Sequence, residues 1–168
     1  MKNPPLPDNE ALRLQTLHDL KVLDTLPDAE LDRLTEFAAH VFNVPIALIS
    51  LVDSDRQWFK SKVGLDAAQT HRDISFCGHA ICQNEVFVVD NALKDDRFFD
   101  NPLVTGELNI RFYAGCPLRH PNGSQLGTLC LIDFEAREFN EHDASILSQV
   151  AADVVARLVI LARQQAYS

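Results

Sequence analysis

The stretch DISFCGHAIC, residues 73–82, brings two cysteines and a histidine close together at Cys77, His79 and Cys82. Such a group can bind a metal, supply a thiol nucleophile or form one wall of a ligand cavity. Zinc sites usually pair their ligands at C-x2-C or H-x3-H spacing and need a second pair elsewhere. Because Cys77 and Cys82 are five positions apart, a helix would place them on nearly opposite sides. The spacing therefore predicts no metal site.

A short helix is predicted to begin near Phe76, with Asp73 or Ser75 as its N-terminal cap. Cys77 then lies in the first turn, where unpaired backbone amides and the helix dipole favour a thiolate, and Arg72 favours it further. The same position is typical of a free cysteine that fills space between a helix and a sheet. Both interpretations of Cys77 stay open on the sequence.

Two later stretches, ALKDDRFFDNPLVTG and IRFYAGCPL, carry aromatic and polar side chains side by side. Phe98 supplies apolar surface and Asn101 a polar contact, while Arg111 and Tyr113 are expected on one strand face. With Trp58 from an earlier strand, these residues predict an aromatic pocket with a few polar groups, the usual composition of a small-molecule site. The alternative is that the aromatic residues belong to the core and the charged residues are solvated.

No catalytic pattern accompanies these residues. The sequence has no G-x-S-x-G motif, phosphate-binding glycine loop, H-E-x-x-H motif or paired-carboxylate signature. The remaining cysteines, Cys116 and Cys130, alternate onto strand faces alongside Phe112 and Ile132, so they are predicted to fill the core. The residues identify no cofactor.

The composition limits the classes of partner. A chain of 168 residues fits one domain with a sizeable core. Its net charge of −9 argues against binding to nucleic acid or to an anionic membrane, because both are polyanions. The start of the chain has no signal-peptide core and no run reaches membrane-spanning length, so a cytoplasmic location with reduced thiols is expected.

The elements that position these side chains begin with helices. Residues 1–9 are predicted to form a disordered leader and residues 10–23 a first helix, and Asp28 is predicted to cap a second helix. In NVPIALISLVDSD the apolar residues occupy both alternating faces, which is typical of a central strand covered on both sides. QWFKSKVG is its predicted hairpin partner.

The second half of the chain predicts further strands and a closing helix. EVFVVD is a third strand, and IRFYAGCPLRH and QLGTLCLID flank Pro-Asn-Gly as a hairpin. Residues 141–163 form the last helix, with a tail at 164–168, and residues 66–109 form an irregular segment that is long for a connection. This order predicts an α+β domain with a mostly antiparallel sheet between helical layers.

Taken in order, these segments resemble a GAF domain. The resemblance covers residues 10–163 and is carried by the stretch from RLQTLHDL to FKSKVGLD, then by RDISFCGHAI, DDRFFDNPLVTG, IRFYAGCPL and GTLCLID ahead of the last helix. The chain is similar to a bacterial subgroup that is often found ahead of diguanylate cyclase or histidine kinase output domains.

The resemblance implies a six-stranded, mostly antiparallel sheet with the N- and C-terminal helices on one face and a ligand pocket on the other. The irregular segment would close that pocket. Carried over by position, the expected ligand-binding residues are Trp58, Phe76, Cys77, His79, Asp90, Phe98, Asn101, Arg111 and Tyr113. A bilin is not expected, because bilin-binding members attach the chromophore to a cysteine followed by histidine, and Gly78 follows Cys77 here.

The resemblance leaves three classes of function. The expected one is a non-catalytic sensory domain that binds a small molecule, regulates a signalling output domain, and forms a homodimer through residues 10–23 and 141–163. Free methionine-R-sulfoxide reductases have a V-C-G-x-A segment similar to residues 76–80, but the later cysteine that they need has no counterpart at residues 100–102. The third class is a ligand-free dimerisation module, whose cavity would be filled by its own aromatic side chains, Trp58, Phe98 and Phe112.

Overall fold

A six-stranded sheet forms the centre of the computed structural model, which describes residues 1–166. The strands are β1 (Ile46–Val52), β2 (Arg56–Val63), β3 (Gln69–His71), β4 (Phe87–Val89), β5 (Phe112–Arg119) and β6 (Gln125–Asp133). The helices are α1 (Glu10–Asp19), α2 (Ala29–Phe42), α3 (Phe76–Ala80), α4 (Pro102–Thr105) and α5 (Glu141–Ala166). The strand order is β3-β2-β1-β6-β5-β4 with every neighbouring pair antiparallel, so the predicted α+β class and sheet are confirmed.

Strand β1 lies inside the sheet and is buried along its whole length. Ala47, Ile49 and Leu51 pack beneath the long helices, whereas Ile46 and Leu48 belong to a second cluster on the opposite face. Burial on both faces accounts for the apolar residues at successive positions, as the sequence predicts.

The long helices α2 and α5 pack on one face of the sheet. The carboxylate of Asp28 accepts a hydrogen bond from the backbone amide of Leu31 at 3.0 Å, which confirms the predicted cap of α2. The buried stripe of α5 consists of Leu147, Val150, Ala151, Val154 and Leu158. By length and composition alone α5 would be long enough to cross a membrane, and its buried stripe packs against the sheet.

Three predicted boundaries differ from the structure. The first helix ends at Asp19 instead of residue 23, because Lys21 takes up a left-handed backbone conformation with φ of 54°. The last helix continues beyond residue 163 to Ala166. Of the predicted tail, residues 164–166 are therefore helical, and Tyr167 and Ser168 lie outside the described residues.

The leader that was predicted to be disordered has defined contacts along α3. The amide of Lys2 donates to the carbonyl of Arg97 at 3.2 Å, and the carbonyl of Lys2 lies 3.2 Å from Nε2 of His79. A Cβ on Gly78 would come within 2.8 Å of the Pro4 ring, so the absence of a side chain there permits this close approach.

A buried ionic cluster joins α1 to the sheet and to the segment that precedes α3. Arg13, which is fully buried, donates to the carbonyl of Val52 at 2.6 Å and to the carboxylate of Glu10. Arg72 donates to the other oxygen of Glu10 at 2.9 Å and to the carbonyl of Asp53 at 3.0 Å. Partial burial acts to raise the pKa of Glu10, but the hydrogen bonds from Arg72 and Arg13 lower it below its usual value.

We predict that Glu10→Gln lowers the free energy of unfolding by about 2–4 kcal/mol at pH 7, because two buried guanidinium groups lose their shared counter-charge. The folded state lowers the pKa of Glu10, so this contribution is present above the pKa of the unfolded chain. It is lost as the pH falls through the lower pKa of the folded state. Urea unfolding of the wild type and the variant between neutral and acidic pH measures both effects.

Glu30→Gln is the matched control, because Glu30 pairs with Arg33 on the surface of α2. Its expected cost is less than about 1 kcal/mol. Equal costs for the two variants would contradict a structural role for the Glu10 cluster.

Candidate ligand site

The face of the sheet opposite the long helices is covered by the irregular segment, which includes α3 and α4. These elements are called the cover below. Ser75 caps α3: its hydroxyl accepts from the amide of Gly78 at 3.0 Å and donates to the carbonyl of Arg72 at 2.6 Å. Phe76, the first residue of α3, stacks on Phe98 with ring centroids 4.0 Å apart. The sequence predicts either Asp73 or Ser75 as the cap of α3, and the structure identifies Ser75.

Asn101 connects the two short helices of this cover. Its side-chain oxygen accepts from the amide of Leu103 at 2.9 Å and so caps α4. Its side-chain nitrogen donates to the carbonyl of Ile74 at 3.0 Å, next to the start of α3. Because Asn101 is buried, losing either bond would leave a polar group without a partner. The cover therefore holds α3 and α4 in a defined relative position.

Cys77 points from α3 toward polar groups at the centre of the sheet. The hydroxyl groups of Tyr113 and Thr128 each donate to its sulfur at 3.1 Å. The sulfur of Cys130 lies 4.0 Å away. Burial acts to raise the pKa of the Cys77 thiol, but hydrogen bonds from Cys130, Thr128 and Tyr113 lower it to about 7.

The position of the Tyr113 hydroxyl depends on the glycine two residues further along β5. The phenol folds back along its own strand, and a Cβ at Gly115 would lie 2.2 Å from the Tyr113 oxygen. Burial raises the pKa of Tyr113 well above its ordinary value, so this hydroxyl stays protonated and remains a donor to Cys77.

Beside these groups lies a small void of about 20 Å³, lined in part by Phe76, Cys77, Tyr113 and Cys130. A larger cleft of about 480 Å³ lies next to it. Both are lined by Leu48, Gln57, Leu103, Ile110 and Ile132. The cleft reaches the surface at residues 66–67 and 107, whereas the small void behind the shared residues is bounded by the buried side chains of Phe76, Cys77, Tyr113 and Cys130.

Gln57 connects the floor of the site to its rim. Its side-chain oxygen accepts from the hydroxyl of Ser50 at 3.0 Å, and its nitrogen donates to the hydroxyl of Thr70 at 2.6 Å. Ser50 and Gln57 are buried, whereas Thr70 lines the cleft. The apolar site therefore has a short polar path along one wall.

The structure brings Phe76, Cys77, Phe98 and Tyr113 together in one buried cluster, as the resemblance implies, with Asn101 supporting them from α4. Whether these residues contact a ligand remains a prediction.

The other residues carried over from the resemblance lie outside this buried cluster, although His79 borders it. Trp58 packs under the helices on the opposite face of the sheet, while Phe59 and Gln57 occupy the cavity side of β2. His79 is half-buried and meets the Phe98 ring edge-on with centroids 4.9 Å apart. Asp90 is exposed.

Arg111 likewise turns away from the cluster around Cys77. Its guanidinium donates to the carbonyl of Val104 at 3.0 Å and to the side chain of Asn109 at 2.7 Å. These bonds tie the start of β5 to the end of α4. Its role in the structure is therefore to hold the cover in place.

Sequence reasoning missed Gln57, Thr128 and the pairing of Cys130 with Cys77. Alternation along β6 placed Cys130 correctly on the face of Ile132, but the partner of its thiol is 53 positions away in the chain. Among residues 1–166, no group of three His, Cys, Asp or Glu side chains is arranged to hold a metal ion.

Comparison with known proteins gives a family match and one clear relative. A family model described as the GAF domain matches residues 27–158. The chain is 44% identical over 159 residues to a cyclic di-GMP phosphodiesterase of Pseudomonas aeruginosa, covering 94% of this chain and 27% of that protein. The chain thus spans about a quarter of the length of this curated relative.

Solved structures share the fold. The GAF domain of a phosphoenolpyruvate-protein phosphotransferase from Coxiella burnetii has a TM-score of 0.68 at 15% identity, covering 96% of this chain and all of that one. A free methionine-R-sulfoxide reductase from Neisseria meningitidis, solved with its substrate, has a TM-score of 0.65 at 21% identity, covering 98% of both chains. At such identities the likeness concerns the fold alone.

We predict that Tyr113→Phe raises the pKa of Cys77 above about 7, because the thiolate loses one hydrogen-bond donor. The expected loss is about 1 kcal/mol of thiolate stabilisation. The measurement is the ultraviolet absorbance of the thiolate against pH, in a chain that carries Cys82→Ser and Cys116→Ser.

Thr128→Val should act in the same direction, since it removes the second hydroxyl donor. Ser148→Ala is the control, because Ser148 contacts Cys116 on the helical side of the sheet. An unchanged titration in both Tyr113→Phe and Thr128→Val would contradict the assigned hydrogen bonds.

Proposed function

The chain belongs to the GAF domain family, a fold of signal-transduction proteins, and on that premise we propose that it is a sensory domain that binds a small, largely apolar molecule. The observation that carries this proposal is the cleft of about 480 Å³ on the covered face of the sheet. A cleft of this size, lined mainly by apolar side chains with a few polar groups, is typical of a small-molecule site.

The charges around the cleft favour a neutral or cationic ligand. Within the described part of the chain, the charged residues that line it are Asp66 and Glu107, both acidic. An anion such as a nucleotide usually needs a basic side chain or a helix N-terminus directed at its phosphate. We therefore propose a ligand whose main contact is apolar and which donates hydrogen bonds to Gln57 or Thr70.

The relative from Pseudomonas aeruginosa supports a regulatory role. That protein is a cyclic di-GMP phosphodiesterase, and this chain matches 27% of its length. We propose that the present domain regulates a signalling output domain of that kind, or a diguanylate cyclase or histidine kinase. A ligand that binds two packings of the domain unequally would shift the balance between them.

We predict that Ala67→Trp weakens binding of Nile red, a neutral apolar dye, to the purified domain. Ala67 is an exposed residue at the rim of the cleft, so the new ring fills the opening without entering the core. Blocking the opening should weaken dye affinity at least about 5-fold, which corresponds to about 1 kcal/mol. Fluorescence titration measures it, and native mass spectrometry of the wild type checks for a molecule that co-purifies.

Ala11→Trp is the matched control, because Ala11 is exposed on α1. Equal dye binding by both variants, with nothing co-purified, would favour a ligand-free dimerisation module. Turnover of free methionine sulfoxide that Cys77→Ser abolishes would replace this proposal with a thiol reductase.

We also propose that the domain is a homodimer joined through its helical layer. Four large apolar side chains on these helices are at least 42% exposed in the single chain: Leu12, Phe37, Val41 and Ile160. Phe37 and Val41 are four residues apart on α2 and therefore share one stripe of that helix. A second copy is the partner, because closed two-fold dimers are the most common assembly of soluble proteins.

We predict that Ile160→Glu, in α5, weakens this dimer by about 2 kcal/mol, roughly 30-fold in its dissociation constant. Leu93→Glu is the control, since Leu93 is also exposed but lies on the segment before α4. Sedimentation equilibrium measures both variants. A wild-type chain that stays monomeric at all concentrations would contradict the dimer.

A further inference from the structure

Two buried thiols meet beside the small void of about 20 Å³, and neither the family match nor the relatives assign them a role. We propose that Cys77 and Cys130 are a reactive dithiol that a small hydroperoxide converts into a reversible disulfide. This proposal rests on the geometry around the two sulfur atoms and does not depend on the identity of the ligand.

The two sulfur atoms are close enough to bond after a small movement. They lie 4.0 Å apart, and a disulfide requires about 2.05 Å. Cys77 belongs to the five-residue helix α3 in the cover, whereas Cys130 belongs to β6 in the middle of the sheet. Bond formation would therefore draw the cover toward the sheet by no more than roughly 2 Å.

The surroundings give the two thiols different roles. The sulfur of Cys77 receives hydrogen bonds from the Tyr113 and Thr128 hydroxyl groups, which favour the thiolate and hence the nucleophile. Burial and the neighbouring Cys77 raise the pKa of Cys130 well above its ordinary value, so Cys130 keeps its proton. Cys77 is therefore the thiolate that attacks the oxidant. Cys130 is the thiol that then attacks the oxidised Cys77 to form the disulfide.

The reaction balances in two steps. The Cys77 thiolate attacks one oxygen of the hydroperoxide and breaks the O–O bond, giving a sulfenic acid and, after protonation, water or an alcohol. The Cys130 sulfur then attacks the sulfenic sulfur, so that the S–S bond forms and the hydroxyl group leaves as water with the Cys130 proton. Overall, two thiols are oxidised by two electrons and one hydroperoxide is reduced.

The shape of the site selects the oxidant. The void beside the sulfur atoms measures about 20 Å³, which is room for about one water molecule, so hydrogen peroxide fits only after a slight opening and bulky oxidants are excluded. The other cysteines lie elsewhere, because Cys82 is exposed on the surface and Cys116 contacts Ser148 on the helical face. The specific expectation is therefore a disulfide between Cys77 and Cys130 and not one that includes Cys82 or Cys116.

The experiment uses the full chain with Cys82→Ser and Cys116→Ser, which leaves the inner pair as its cysteines. Hydrogen peroxide should lower the intact mass by two hydrogen atoms and remove both thiols from alkylation after denaturation, and dithiothreitol should restore them. The reaction should become faster as the pH rises through about 7, where the Cys77 thiol ionises.

Two further measurements keep the test decisive. Adding Cys130→Ser should stop the reaction at a sulfenic acid on Cys77, which dimedone traps as a covalent adduct. If that variant does not fold, peptide mapping of the peroxide-treated wild type should still yield a linked pair of peptides that contain Cys77 and Cys130. The proposal is overturned if both thiols stay alkylatable, if oxygen atoms are added without an S–S bond, or if the linkage involves another cysteine.

Discussion

The carboxylate of Glu10 is shared by two guanidinium groups, one from its own helix and one from the segment that leads into α3. Arg13 and Arg72 also donate to the backbone at the end of β1 and in the turn after it. One partly buried negative charge thereby connects the first helix, the sheet and the segment that leads into α3. Since removing such a charge leaves two guanidinium groups without their counter-charge, the cluster holds α1 against the segment that leads into α3.

The second constraint is the polar strip that crosses the otherwise apolar face of the sheet. Ser50, Gln57 and Thr128 are buried there, and each has a hydrogen-bond partner. Among the described residues, no buried side-chain nitrogen or oxygen lacks a partner. The Tyr113 and Thr128 hydroxyl groups both donate to the sulfur of Cys77, so these polar groups tie α3 to the sheet.

Much of the fold could be predicted because its signals are local. Asp28 and Ser75 cap helices through their own neighbours, and the two-sided burial of β1 shows in its sequence. The candidate site was harder to predict from the sequence. Strand β2 is buried on both faces, so alternation could not show that Trp58 lies on the face under the helices. The contacts of the leader and of Cys130 depend on residues far away in the chain.

The conformation of Tyr113, folded back over Gly115, corresponds to a sequence pattern that can be sought in other proteins. A Cβ at the second position after the tyrosine would lie 2.2 Å from the phenol oxygen. The spacing Tyr-x-Gly on this strand therefore indicates a tyrosine hydroxyl held over the sheet. Searching other members of the family for that spacing, together with a cysteine at the start of the short helix, would select chains that can build the same thiol environment. Two short patterns, separated by an irregular segment, would then identify a chemical site that neither pattern specifies alone.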